Sequence, residues 1–252
     1  MIEIFILSLV QGITEFLPIS SSSHLILISK YFNFENQGLS IDVSLHIGSF
    51  VAVLFYFNKD IIDFYHNKII FFQILIASIP VMIVGFFLVE TGMIEKIRNL
   101  KIIAFTTIIF GILLFISDTF KLEKNIKKNL TYKSALFIGI FQILSLIPGV
   151  SRSGIAITAA RLLKFKRLDA GKISFLISIP ILGTISIFGI KNLIYSDNLS
   201  FTYLNLLSII ISFCFSLITI KYFLIYINKF NLNIFVYYRI FLGLLLLILA
   251  YL

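Results

Sequence analysis

The sequence predicts an all-α polytopic membrane protein, with about six transmembrane helices plus two re-entrant helical hairpins in an inverted-topology repeat. Three observations carry this. The 252 residues are 59% hydrophobic and 13% charged, with a mean hydropathy of +1.04, whereas a soluble domain is about 45–50% apolar and about 25% charged. The apolar residues form long unbroken runs, such as "IIFFQILIASIPVMIVGFFLV" and "LLSIIISFCFSLITIKYFLIYI"; a membrane barrel would show alternating segments of about ten residues. Two runs stop at a proline followed by small polar residues.

The apolar segments fall at 2–17, 40–57, 69–90, 102–120, 133–147, 173–194, 203–227 and 234–252. A spanning helix needs about 20 apolar residues. The first and fifth segments are short and end at Pro18 and Pro148, and each is followed by a second short stretch, "LILIS" and "IAITAARLL". Re-entrant hairpins at 1–30 and 133–164 account for this and leave six spans. Loop 121–133 then carries five Lys and one Glu, and loop 164–172 four basic residues and one Asp. Both share a side with 58–68 and 228–233, opposite the nearly neutral 30–42, 91–101 and 191–202. The positive-inside rule puts the basic loops in the cytoplasm and both termini outside. The first hairpin enters from outside and the second from inside.

The chain reads as one integral membrane domain, 1–252, with repeat one at about 1–120 and repeat two at about 133–252. "QGITEFLPISSS" and "QILSLIPGVSRS" align without gaps, pairing Gln11 with Gln142, Ser20 with Ser151 and Ser22 with Ser153. Such repeats mark folds whose broken helices meet near the membrane midplane.

The net charge of +9 comes from Lys and Arg clustered in loops, and no basic patch interleaved with aromatics suggests nucleic acid. Cys214 is the single cysteine, so neither a disulfide nor a zinc framework forms within one chain. The N-terminus lacks a basic n-region and a small-residue cleavage site, and its apolar stretch reads as part of the mature protein. P-loop, zinc and Gly-x-Ser-x-Gly motifs are absent.

The chemistry lies in the two polar clusters. Gln11 and Glu15 are four apart and share a helix face. Glu15 falls just before Pro18, where helical geometry ends. An ionisable residue at membrane depth is a functional hypothesis by default; the competing reading is a helix-end Glu reaching interfacial water. Ser20, Ser21, Ser22, Ser23 and His24 follow. Serine is a preferred N-cap, and the start of a helix is an anion site. One serine would suffice for capping, so four with a histidine suggest a binding site. The second cluster, "PGVSRSG" at 148–154, sets Arg152 between Ser151 and Ser153, flanked by glycines. Hydroxyls and a guanidinium suit phosphate oxygens. The competing reading is a salt bridge from Arg152 to Glu15, and both hold where a ligand separates the pair. Arg161, Arg239 and Asp118 stay unassigned, His46 reads as structural or as lining the same cavity, and His66 as a solvated loop residue. The ligand that fits is a polyanion on an apolar body, a lipid phosphate or diphosphate. Gln11 and Glu15 suit Mg²⁺ or Ca²⁺ bridging its oxygens.

At these residues the chain resembles the undecaprenyl-diphosphate phosphatase, or bacitracin-resistance, family of bacteria. "QGITEFLPISSSSH" matches the first family motif at Gln11, Glu15, Ser20, Ser21 and His24, and Pro148, Gly149, Ser151, Arg152 and Ser153 match the second. "SIDVSLHIGSFVAVLFYF" and "AARLLKFKRLDAGKISFLISIPILG" are also similar, so the resemblance runs end to end. Ser22 and Ser23 replace a usual Thr-Gly, and Ala156 stands where a threonine is usual, with Thr158 two later.

The resemblance implies hydrolysis of undecaprenyl diphosphate to undecaprenyl phosphate and phosphate. That recycles the lipid carrier of cell-wall synthesis and confers bacitracin resistance. It further implies a multi-pass protein of the plasma membrane whose site opens to the outer face. The expected roles are Arg152, Ser151, Ser153, Ser20 and Ser22 on the diphosphate, and Gln11 with Glu15 on the divalent ion or a water. His24 is the general acid or base. Ser21, three residues from His24 on the same helical face, is a candidate nucleophile; a water activated by Glu15 or His24 is the open alternative. The competing function is a transporter or flippase of polyprenyl phosphates, which needs no nucleophile. Self-association as a homodimer is left open.

Overall fold

The computed structural model describes residues 1–32, 34, 38–93, 99–121, 123–195 and 202–251. Its described helices are α1 Ile2–Thr14, α2 Ser21–Phe32, α3 Leu39–Tyr56, α4 Asn58–His66, α5 Lys68–Glu90, α6 Leu100–Asp118, α7 Ile126–Asn129, α8 Tyr132–Ile143, α9 Arg152–Leu162, α10 Arg167–Tyr195, α11 Tyr203–Lys229 and α12 Asn233–Tyr251. A 3₁₀ turn, Leu144–Leu146, extends α8. Six of these helices, α3, α5, α6, α10, α11 and α12, are long and apolar enough to cross a membrane. Their outward side chains are apolar too: Phe87, Ile187, Phe241 and Ile248 are all more than half exposed. In water that surface would be unfavourable; against lipid it costs nothing. The protein is a multi-pass helical membrane protein.

One carboxylate gathers the basic end. Asp118 accepts hydrogen bonds from Arg161 Nε at 3.1 Å, Arg167 Nε at 2.8 Å and the Leu232 amide at 3.0 Å. Arg161, fully buried, also donates to the carbonyls of Phe165 and Phe120. The turns before α7, α10 and α12 therefore meet. The α3–α4 corner joins them, since Tyr56 and Asp60 line a cavity of about 440 Å³ together with Lys172 and Lys229. At the other end, the Lys101 ammonium lies 4.0 Å from the centre of the Tyr251 ring.

The two short helices enter from opposite ends. Helix α1 runs in the same direction as α11: Ile4 and Leu7 cluster with Leu204, and Gly12 reaches Ser212. Helix α8 runs in the same direction as α5: Gln73 donates to the Leu130 carbonyl at 2.8 Å and Gln142 to the Ala77 carbonyl at 3.0 Å. Helix α5 starts at the basic end and α11 at the opposite one. Each short helix breaks inside the molecule, and α2 and α9 turn back toward the end of entry. This path fits the two re-entrant hairpins expected from the sequence.

The structure corrects several boundaries. His66 closes α4 rather than lying in a loop, and its side chain lies outside the described residues. Helix α10 begins at Arg167, not at 173, and the loop 121–133 contains α7. Helix α1 stops at Thr14 and α8 at Ile143, short of 17 and 147. Hydropathy follows the hydrocarbon-embedded part of a helix, and polar first turns such as "RLDAGK" extend beyond it. The neutral loops 30–42, 91–101 and 191–202 lie partly outside the described residues.

Lipid tails are as apolar as leucine, so helix association in a membrane depends on close packing and polar contacts. The α3–α11 seam uses both. The Ser49 hydroxyl lies 3.2 Å from that of Ser212 and 3.0 Å from that of Ser216, and the Ser212 hydroxyl donates to the Leu45 carbonyl. Asn205 donates to the hydroxyls of Ser40 and Ser44. Gly48 lets the backbones touch, because a Cβ there would stand 2.5 Å from the Ile209 carbonyl oxygen. Gly48→Val is expected to cost about 1–3 kcal/mol by overpacking, read as a lower thermal unfolding midpoint in detergent, with Ser49→Ala milder.

Candidate active site

The two helix breaks meet in the interior. The first runs through Glu15–Ser20 and the second through Ile147–Ser151. Ser20 and Ser151, paired in the sequence alignment, share the same unusual backbone: φ is 73° at Ser20 and 71° at Ser151. Left-handed geometry at a non-glycine residue is a strained feature that the surroundings must hold in place. The hydroxyl contacts repeat as well, at 3.3 Å for Ser20–Ser22 and 3.2 Å for Ser151–Ser153. Ser151 caps α9 by accepting the Gly154 amide at 3.1 Å. Gly149 makes the second break tight, with φ of 93° and no room for a Cβ against Thr106 and the Ile103 carbonyl.

Glu15 lies at the junction of the breaks, with its side chain almost fully buried. Arg152 Nη2 donates to Oε1 at 2.5 Å, the Ser21 hydroxyl to Oε2 at 2.7 Å and Gln11 Nε2 to Oε2 at 3.0 Å. Gln11 Nε2 also lies 3.1 Å from His46 Nδ1. The amide orientation follows, because turning it over would set its oxygen against the carboxylate. Gln11 Oε1 is then left buried with no hydrogen-bond partner among the described residues. A buried orphan acceptor is costly unless a donor or cation comes to it. The salt bridge from Arg152 to Glu15 is present, and the arginine keeps some exposure, 14% of its side chain.

The breaks are also joined to each other. Ser153 donates to the Leu17 carbonyl at 2.7 Å. Arg239 of α12, fully buried, donates to the carbonyls of Pro18 at 3.3 Å, Gly149 at 3.0 Å, Val150 at 3.0 Å and Thr107 at 3.1 Å. No carboxylate pairs with it among the described residues. Gly154 makes room, since a Cβ there would lie 2.9 Å from Arg239 Nη1.

The structure thus brings together Gln11, Glu15, Ser20, Ser21, Ser22, Ser151, Arg152 and Ser153, with His46 beside them. It does not pair Ser21 with His24: Ser21 turns to Glu15, while His24 Nδ1 lies 2.7 Å from the Ser20 carbonyl and Nε2 2.6 Å from the Tyr238 hydroxyl. Asp118 and Arg161 belong to the basic end, away from the breaks. Ala156 is buried in the main apolar core, and the Thr158 hydroxyl goes to the Gly154 carbonyl. Sequence reasoning left Arg239 and Tyr238 out of the site; the available signal was an arginine inside an otherwise apolar span.

For a hard cation, the chain offers Gln11 Oε1 and the Glu15 carboxylate. Among the described residues there is no cluster of three His, Cys, Asp or Glu. The donor set fits Mg²⁺ or Ca²⁺ only where phosphate and water oxygens complete the shell, the way Mg²⁺ is commonly held.

The sequence profile of the family described as bacitracin resistance protein BacA matches residues 4–245. A Pelagibacter ubique protein named undecaprenyl-diphosphatase is 51% identical over 251 residues, covering 99% of this chain and 98% of the relative. Proteins of the same name from Saccharophagus degradans and Campylobacter curvus are 42% and 41% identical, each over more than nine-tenths of both chains.

The Arg239 geometry makes a direct prediction. Arg239→Met removes a donor shared by four carbonyls; Gly149 keeps the Thr107 hydroxyl and Thr107 lies within α6, but those of Pro18 and Val150 lose the guanidinium, and an unsatisfied buried acceptor costs about 1–3 kcal/mol. The variant should unfold well below wild type in detergent and lose activity. Arg239→Lys should recover only part, because an ammonium on a flexible stem cannot reproduce the planar fork.

Proposed function

The chain belongs to the BacA bacitracin-resistance family, and we propose that it hydrolyses undecaprenyl diphosphate to undecaprenyl phosphate and phosphate at the junction of its two helix breaks. The observation that carries this reading is the Glu15 carboxylate, held by a guanidinium from one break and a hydroxyl from the other. Phosphoryl transfer needs a held polyanion, a nucleophile and a proton acceptor. Arg152, the hydroxyls of Ser20, Ser22, Ser151 and Ser153, and the starts of α2 and α9 bind and orient the diphosphate. Ser21 Oγ attacks the terminal phosphorus as its proton passes to Glu15. The bond from that phosphorus to the bridging oxygen breaks, and undecaprenyl phosphate leaves. Water then cleaves the phosphoserine and restores Ser21. His24 moves protons at the entrance, and Gln11 positions the carboxylate. Mg²⁺ or Ca²⁺, when bound by Gln11 and Glu15 with phosphate oxygens, supplies charge neutralisation.

Supporting this is a direct hydrogen bond between nucleophile and base, which a transporter does not need. In the bacterial plasma membrane the basic loops face the cytoplasm, and the site opens to the outer face, where cell-wall synthesis leaves the spent carrier. Residues 1–120 and 133–252 form the two inverted repeats, led by hairpins 1–30 and 133–164. Restoring the monophosphate carrier denies bacitracin its ligand.

Phosphate release from undecaprenyl diphosphate by the purified protein in detergent is the first test. Wild type should release phosphate and Arg152→Ala should fall by a factor of about 10³ or more, as charge-clamp losses do. EDTA should slow the reaction and added Mg²⁺ or Ca²⁺ restore it. A folded wild type that releases none overturns the enzyme reading in favour of transport. A separate test addresses the nucleophile: Ser21→Ala should lose nearly all turnover, and acid quenching should trap phosphate on Ser21. Full turnover by Ser21→Ala would replace the serine with water.

A further inference from the structure

His24 is held at both ring nitrogens. Nδ1 lies 2.7 Å from the Ser20 carbonyl oxygen, which can only accept, so Nδ1 carries a proton. In the neutral ring Nε2 is therefore the lone-pair nitrogen, and it lies 2.6 Å from the Tyr238 hydroxyl, which must donate. The two rings are nearly parallel, 7° apart with centroids 5.7 Å apart. Tyr238 directly precedes Arg239, the residue that grips both breaks, so the clamp anchors the stretch of α12 that carries the phenol. The strained Ser20 supplies the first contact and α12 the second.

We infer that Tyr238 is a positioning residue for the reaction: its hydroxyl fixes the orientation of His24 while the Ser20 carbonyl sets the tautomer, so that Nε2 is the single nitrogen through which His24 exchanges protons. The inference rests on the reading of His24 as a proton carrier. Its logic is that of other catalytic histidines, where a partner at one nitrogen decides which atom of the other is active. Here the backbone takes Nδ1, and the tyrosine holds Nε2 until the reaction calls on it. The proton comes from the water that cleaves the phosphoserine and leaves on the released phosphate. When His24 takes a proton at Nε2 it becomes imidazolium and donates to the phenol oxygen. When it gives the proton up, the phenol donates again. Tyr238 stays neutral throughout and no other reactant is needed.

Tyr238→Phe keeps the ring and removes only the hydroxyl. It is expected to lower kcat about tenfold with KM little changed, within what one lost positioning contact costs a general acid or base. The wild type, Tyr238→Phe, His24→Ala and the double variant form a cycle. If Tyr238 acts through His24, the double variant is no slower than His24→Ala alone. A second readout does not use activity: in protein labelled with ¹⁵N-histidine, the Nε2 resonance that disappears in His24→Ala should shift in Tyr238→Phe. A Tyr238→Phe variant with wild-type kcat and an unmoved resonance overturns the proposal while leaving His24 in place. A full extra loss in the double variant also overturns it, by giving Tyr238 a role of its own. Wild-type turnover by His24→Ala removes the His24 reading and this proposal with it.

Discussion

The rest of the site depends on a buried cation that, among the described residues, has no anion. Arg239 is fully buried, and its partners among the described residues are carbonyl oxygens. A lone guanidinium would be too costly at such depth. Broken helices are equally costly, because carbonyls within the break have no intrahelical donor. Each problem solves the other. Pro18, Gly149 and Val150 need donors, and Arg239 supplies a planar fork that meets both breaks together. The clamp fixes the distance between the breaks, and with it the distance from Ser21 and Arg152 to the one carboxylate they share.

The local repeat explains how one carboxylate came to have two such partners. The residue after each left-handed serine is Ser21 in the first break and Arg152 in the second. Equivalent positions reach the two oxygens of Glu15 from opposite sides, at 2.7 Å and 2.5 Å. Glu15 itself has no acidic counterpart, since its alignment mate is Leu146, and His24 aligns with Ile155. The turn geometry recurs but the chemistry is divided: both breaks carry hydroxyls, while the acid and imidazole come with the first and the positive charge with the second.

That division decides what the sequence reveals. Hydropathy and the Lys and Arg count were enough for the six spans and for gathering the basic loops at one end, because those features are set residue by residue by the bilayer. The polar clusters stood out because four serines, a histidine and an arginine are expensive where they lie. Partnerships were harder to read. Spacing of three suggested Ser21 with His24, but the carboxylate nearby is a stronger acceptor for Ser21, and the Ser20 carbonyl captures the imidazole. Arg239 and Tyr238 lie more than 200 residues from the contacts they make in the first break. Nothing local in "FVYYRIF" says what they touch; only the fold brings α12 against both breaks.

The Glu15–Arg152 pair then has a role in both halves of the proposed cycle. Without substrate, each buried charge needs the other, and a bond of 2.5 Å satisfies both. A diphosphate carries more negative charge than one carboxylate and offers several oxygens, so it competes well for the guanidinium. When Arg152 turns to the phosphate in that cycle, Glu15 keeps the Ser21 hydroxyl, whose proton it takes in the proposed step. After cleavage the phosphate fragments hold Arg152 less strongly, and Glu15 takes it back as they leave. The same ion pair that keeps the site from carrying unpaired charge thus links, in the proposed cycle, the group that binds the substrate to the group that takes the Ser21 proton.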